Sequence, residues 1–232
     1  PWTNKLRNCE KIYSIGQNFL TEDEDAGESL TDSDNVWTSV AERPVTTAHW
    51  AVCKIQNYFK NTFNANIKNI LQVVAGIDNY NNSKFIANQL VARDSILGQI
   101  NFILLGKING NYCSTVDIVA HEYAHCLISY SSKLDGYGES GALNESFADI
   151  FANLAERSIL GRNNWEIGED LDFVLRDLSN PECSYYQGNN WINPDTTYDK
   201  GGVHTNSGVQ SKWFQLIYDE IGLDDARKLV KW

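Results

Sequence analysis

The sequence predicts an α+β fold in which a β-containing N-terminal lobe, residues 1–130, precedes a mainly helical C-terminal lobe, residues 131–232. Three observations carry this. Apolar, β-branched runs, "ILQVVAGI" and "INFILL", fall in the first half and read as strands. Helical patterns dominate the second half, at 114–130, 139–160, 207–220 and from 223 onward, separated by Gly- and Asn-rich loops. A chain of 232 residues, 42% hydrophobic and 12% aromatic, is long enough for a substantial core, in one large domain or two lobes sharing a cleft.

In chain order, "TEDEDAGESLTDSDN" (21–35) is acidic and poor in apolar residues, so it reads as a solvated loop whose spacing fits no ordered calcium-ligand pattern. The stretch 46–63 sets Ala48, Val52, Ile55, Phe59 and Phe63 at helical spacing behind a threonine cap. The two strand runs follow, with "DNYNNS" as a turn. No internal repeat or low-complexity tract interrupts the chain.

The formal charge of -11 argues against a nucleic-acid partner, which needs a basic face. No apolar run approaches the roughly 20 residues of a membrane span, and no signal-like segment opens the chain. A start at Pro1 and the lack of any Met lead us to expect a processed chain or a fragment whose targeting segment has been removed. Cysteines at 9, 53, 113, 126 and 183 show no Cys-x-x-Cys spacing, which argues against a thiolate zinc site. Four of them could form two disulfides in any of three pairings. Cys126 is the expected leftover, a small buried hydrophobe, and the count favours a secreted compartment.

Chemistry concentrates in "STVDIVAHEYAHCLISYS". On a helix, residues four apart project side by side, so His121 and His125 can reach one metal ion, with Glu122 rotated away from them by about 100°. The next helix, "ESGALNESFADIFANLAERSIL", carries Glu145, Asp149 and Glu156 on one face, with Leu143, Phe147, Ile150 and Leu154 opposite. The first helix bears a matching stripe of Asp117, His121 and His125. Packed antiparallel, the two helices bring Glu145 to the histidines and Glu156 to Asp117. The first meeting makes a His-His-Glu zinc site with an open position for water; the second makes an all-carboxylate site suited to calcium. Glu122 is then placed as a general base, and Asp149 as the acceptor that fixes a ligand histidine's far nitrogen.

Taken together, "DIVAHEYAH", "ESGALNESFADIF", "NWEIGEDL", "LRDLSNP" and "DKGGVHTNSGV", in that order, resemble the thermolysin family of zinc endopeptidases. The match runs from about residue 46 to 230, with the first 45 residues and the region 84–113 diverging most. The resemblance implies a two-lobed zincin fold with a cleft between the lobes. It implies zinc ligands His121, His125 and Glu145, and Glu122 as base and proton shuttle. His204, oriented by Asp199, would stabilise the oxyanion, and Arg176 would bind a substrate carbonyl on the leaving-group side. Asn82 and Ser83 fall where the family holds the substrate backbone as an added strand. Ile118, Ile167 and Leu175 match the pocket for the residue after the cut bond, which implies cleavage on the amino side of bulky hydrophobic residues. Calcium positions map to Asp117, Glu156, Asn164, Glu166 and Glu169, for one or two structural ions, with Asn164 replacing a carboxylate.

Two departures stand out. The family's oxyanion-binding tyrosine has Gly136 at its place, and Tyr137, one residue along, is the candidate for that catalytic role through a small loop shift. The chain also stops at Trp232, inside a helix that the family continues, so the C-terminal lobe reads as truncated. The expectation is a secreted zinc-dependent endopeptidase, made as a zymogen, acting on protein or peptide substrates, with a propeptide or C-terminal fragment as partner. The alternative is a catalytically inactive, metal-stabilised binding protein or adhesin on the same fold.

Overall fold

A computed structural model describes residues 12–15, 43–67, 70–77, 80–93 and 96–231. Helix α1 (Arg43–Phe63) starts three residues before the expected threonine cap. Pro44 sits in its first turn, where a missing N–H costs nothing, and Thr46 instead donates its hydroxyl to the Arg43 carbonyl at 3.2 Å. The apolar stripe behaves as its spacing predicts, with Ala48, Val52, Ile55, Phe59 and Phe63 all buried.

Four strands form the main sheet, β1 (Ile12–Ile15), β2 (Ile70–Ala75), β3 (Ser83–Arg93) and β4 (Ile96–Leu105), in the order β1-β2-β4-β3. β2 runs parallel to both β1 and β4, while β3 is antiparallel to β4. The two apolar runs are thus the inner pair, and their residues 71–77 and 101–105 are buried as the composition demands. β3 is an edge strand that the sequence pattern hid, because "SKFIANQLVAR" lacks clean alternation and its pairing slips between Ile86 and Gln89. Of the expected turn, residues 78 and 79 lie outside the described residues, as does the acidic stretch 21–35. Two short hairpins follow elsewhere, β5 (Lys107–Ile108) with β6 (Asn111–Tyr112), and β7 (Glu166–Ile167) with β8 (Arg176–Asp177), the latter enclosing a 3₁₀ turn at Glu169–Leu171.

Helix α2 (Val116–Tyr130) runs through the centre of the molecule, and every residue from Val116 to Ala124 is buried. Helix α3 (Gly138–Leu160) packs beside it and ends at Gly161, whose left-handed φ of 78° lets its N–H return to the Arg157 carbonyl. Phe59 of α1 ties the three helices together, with ring centroids 5.5 Å from both Tyr123 of α2 and Phe151 of α3. Truncating such a ring to alanine costs about 3–5 kcal/mol.

Helix α4 (Asp199–Ile221) begins eight residues before the expected 207, through three left-handed residues, Lys200, Gly201 and Gly202. Side chains do not fit here: a Cβ on Gly201 would lie 2.4 Å from the Pro194 carbonyl oxygen, and one on Gly202 would lie 2.4 Å from Ile192 Cβ. Helix α5 (Leu223–Leu229) closes the described chain, and no helix of the described residues is long and apolar enough to cross a membrane. Cys53 is disulfide-bonded, but Cys113, Cys126 and Cys183 are free and buried, so the expectation of two disulfides gives way. Burial pushes the Cys113 and Cys126 thiols up to about 12 and keeps them protonated.

Candidate metal centre

Ordinarily the carboxylate stripe of a helix is its wet face. On α3 both faces are buried: Asp149 and Glu156 are each 1% exposed, and on the apolar face Ile150 and Leu154 lie in the core while Leu143 reaches solvent at 38%. The acids face α2. There the Nε2 atoms of His121 and His125 lie 3.0 Å apart, and Glu145 brings Oε2 to 3.3 Å from the first and Oε1 to 3.6 Å from the second. One ligand atom from each of the three residues lies within 4.8 Å of the others, the one such group of metal-ligating side chains among the described residues. Glu145 Oε2 is buried with no aligned donor. Three acceptors aimed at one point call for a cation, and two imidazoles with one carboxylate are a zinc donor set, so these residues fit the ion.

Both histidines are held from behind. His121 Nδ1 lies 2.8 Å from Asp149 Oδ1, and His125 Nδ1 lies 2.8 Å from Asn144 Oδ1, which leaves each Nε2 facing the centre. Asp149 is itself gripped by Arg176, whose Nε and Nη2 each donate at 2.7 Å. In the metal-free chain a proton plays the cation's part. Burial opposes charge on His121, but contacts with Asp149 and Glu145 outweigh it and push the imidazole up to about 10. Burial likewise opposes ionisation of Asp149, yet Arg176 and His121 bring it down to about 2, and the two histidines hold Glu145 well below the usual carboxylate range.

The centre opens into a cleft of about 530 Å³. Glu122, only 4% exposed, lines it, as do Asn82 and Ser83 at the start of the edge strand β3, the apolar Ile118, Ile167 and Leu175, and Arg176. From α4, His204 lines the opposite side, with Nε2 3.4 Å from Glu145 Oε2 and Nδ1 2.6 Å from Asp199 Oδ1. The left-handed turn at 200–202 makes this pairing, since it lets Asp199 also accept the His204 backbone N–H at 2.9 Å.

Tyr137 is a correction. It is 47% exposed, its hydroxyl donates to the Thr196 carbonyl at 2.6 Å, and the cleft is lined at this point by Gly136 instead. The one-residue offset in sequence has turned the ring away from the centre.

The five residues expected to hold calcium are neighbours, but a guanidinium stands among them. Arg162 Nη1 lies 3.2 Å from Glu156, 3.5 Å from Glu169 and 2.7 Å from Asp170. Asn164 directs its NH₂ group at Glu169 and Glu166, at 2.7 and 3.4 Å, and the Gly168 N–H donates to Asp117 at 2.5 Å. Burial, with Asp117 and Glu169 close by, pushes Glu156 up to about 8.

Sequence reasoning missed Asn144, which it could have found as the residue preceding the Glu145 ligand. It missed Arg162, whose signal was a lone cation in a loop ahead of "WEIGED". Tyr80, Lys84 and Lys200, which also line the cleft, gave no signal.

An edge strand, a His-Glu-x-x-His helix and a second helix bringing a glutamate to the same centre define the scaffold of a zinc peptidase. The chain belongs to the thermolysin metallopeptidase family: the catalytic-domain model of that family matches residues 3–129, and its alpha-helical-domain model matches residues 132–230. Bacillolysin of Bacillus amyloliquefaciens is 31% identical over 216 residues, which cover 88% of this chain and 39% of that protein. Neutral protease NprE of Bacillus pumilus is 29% identical over 216 residues, covering 88% of this chain and 67% of that protein. The chain thus spans well under half the length of the first of these relatives. The solved precursor of protealysin, a metalloproteinase from Serratia proteamaculans, shares the fold with a TM-score of 0.67 at 23% identity, covering 94% of this chain and 70% of that one.

Proposed function

We propose that the chain is a zinc-dependent endopeptidase that hydrolyses internal peptide bonds on the amino side of bulky hydrophobic residues. The observation that carries this reading is the convergence of His121, His125 and Glu145 in the cleft that Glu122 lines. Zinc held by these three side chains supplies positive charge that acidifies water and polarises a carbonyl.

The protein's own groups do the rest. A substrate backbone adds alongside β3 at Asn82 and Ser83, at the outer strand of the sheet where it borders the cleft. Glu122 takes the proton of the attacking water and delivers it to the leaving amine nitrogen. His204 presents Nε2–H to the carbonyl oxygen as negative charge develops there, its ring oriented by Asp199. Arg176, fixed by Asp149, holds a substrate carbonyl on the leaving-group side. Ile118, Ile167 and Leu175 receive the side chain after the cut bond, and discriminate by about 1–3 kcal/mol per methylene. The carboxylates around Asp117 take no part in the hydrolysis.

We extend the proposal to a secreted enzyme made as part of a longer precursor. The Cys53 disulfide supports an oxidising compartment, and a relative of the same fold was solved as a precursor.

The test is Glu122→Gln assayed on an N-terminally blocked peptide, with zinc content measured in parallel. The variant keeps its zinc while turnover falls by about 10²–10⁴-fold. Undiminished turnover rejects Glu122 as the base. A wild-type chain that holds zinc yet cleaves no protein substrate is instead a metal-stabilised binding protein, the reading that the outward-turned Tyr137 favours.

A further inference from the structure

We propose that Arg162 is the resident cation of the carboxylate cluster at the far end of the α2–α3 interface, in place of calcium, so that the chain keeps its fold without that ion.

The cluster needs positive charge. Asp117 and Glu156 are each 1% exposed, and Glu169 and Asp170 join them from the 3₁₀ turn. Buried carboxylates without a counter-charge cost several kcal/mol each. Gly161 supplies the means: its left-handed φ of 78° ends α3 and turns the chain, so that the very next side chain comes back over the acids. One nitrogen of Arg162, whose side chain is 39% exposed, then contacts Glu156, Glu169 and Asp170 at 2.7–3.5 Å, a reach across the rim of the cluster that its long stem allows.

The remaining donors agree. Oxygens that would have to turn lone pairs toward a divalent ion already accept hydrogen bonds, Asp117 from the Gly168 N–H and Glu169 from the Asn164 amide. Among the described residues, no three of these acids bring oxygens together as the zinc-type group does. A calcium ion needs six to eight oxygens at about 2.3–2.6 Å, and a guanidinium cannot share that centre. Two buried oxygens, Asp117 Oδ1 and Glu169 Oε2, still lack an aligned donor. They are what calcium would take up were the guanidinium removed.

The experiment reads thermal unfolding of the zinc-loaded chain, at buffered free zinc, with calcium or with a calcium-selective chelator. The wild-type Tm is the same in both. Arg162→Gln loses roughly 5–10 °C in chelator and regains most of it in calcium. Calorimetric titration of the wild type with calcium, which needs no variant, shows no stoichiometric binding. The proposal is overturned by a wild-type Tm that rises with calcium as the variant's does, by one calcium bound per wild-type chain, or by an Arg162→Gln variant as stable as wild type in chelator. None of these readouts depends on turnover, so they stand apart from the test of the peptidase reading.

Discussion

At one end of the α2–α3 interface, His121, His125 and Glu145 bring ligand atoms within 4.8 Å of one another; at the other, Glu156 and Glu169 gather around the guanidinium of Arg162. Both ends arise from the same device, two antiparallel helices that turn polar stripes inward. They differ in what the neighbouring chain contributes. The histidine end opens on a cleft, and the side chain that α4 adds there, His204, is 48% exposed and stays at the rim. At the acid end a loop folds back and carries its own cation. An interface left short of positive charge beside a cleft can recruit an ion for chemistry; one closed by a loop can be finished from within.

The sharpest way to break this contrast is to remove the exchangeable ion. Chelation with 1,10-phenanthroline abolishes peptide hydrolysis, and zinc restores it while calcium does not; restoration by calcium alone places the functional ion at the wrong end. A smaller effect comes from the residue that orients a ligand. Asp149→Asn keeps the shape but loses the charge that meets both His121 and Arg176, and zinc affinity, measured by competition with a chromophoric chelator, falls about 10–100-fold.

Proton and metal compete for His121. In the metal-free chain its folded value of about 10 lies above the 6.5 of free imidazole, so the stability that its proton adds is complete below 6.5 and is lost as pH rises through 10. Zinc must displace that proton, and its apparent affinity therefore weakens by about tenfold for each unit that pH falls within this window. An affinity flat between pH 7 and 9 contradicts the pairing. The smallest effect belongs to Tyr137→Phe, whose hydroxyl is spent on the Thr196 carbonyl: turnover changes by no more than about twofold. A loss of orders of magnitude brings the ring back into the cleft during catalysis.

The zinc-type centre was legible because it rests on local periodicity. Residues four apart on α2 and the stripe on α3 are fixed by helix geometry alone, and a short connection leaves those helices little choice but to pack antiparallel. What the sequence hid depends on non-local events. β3 is a strand because β4 pairs with it, despite its broken alternation. The start of α4 was misplaced because its first turn runs through left-handed residues at 200–202, and periodicity cannot register them. Arg162 drew no notice because its place over the acids depends on the turn at Gly161, and Tyr137 looked one residue from a useful place when its ring had gone to the surface.

The most direct test of the central claim is native mass spectrometry of the folded chain offered zinc and calcium together. The account predicts the mass of one zinc ion and no calcium, with the zinc lost in Glu145→Ala. A chain that takes up no zinc, or whose zinc survives removal of Glu145 undiminished, contradicts it.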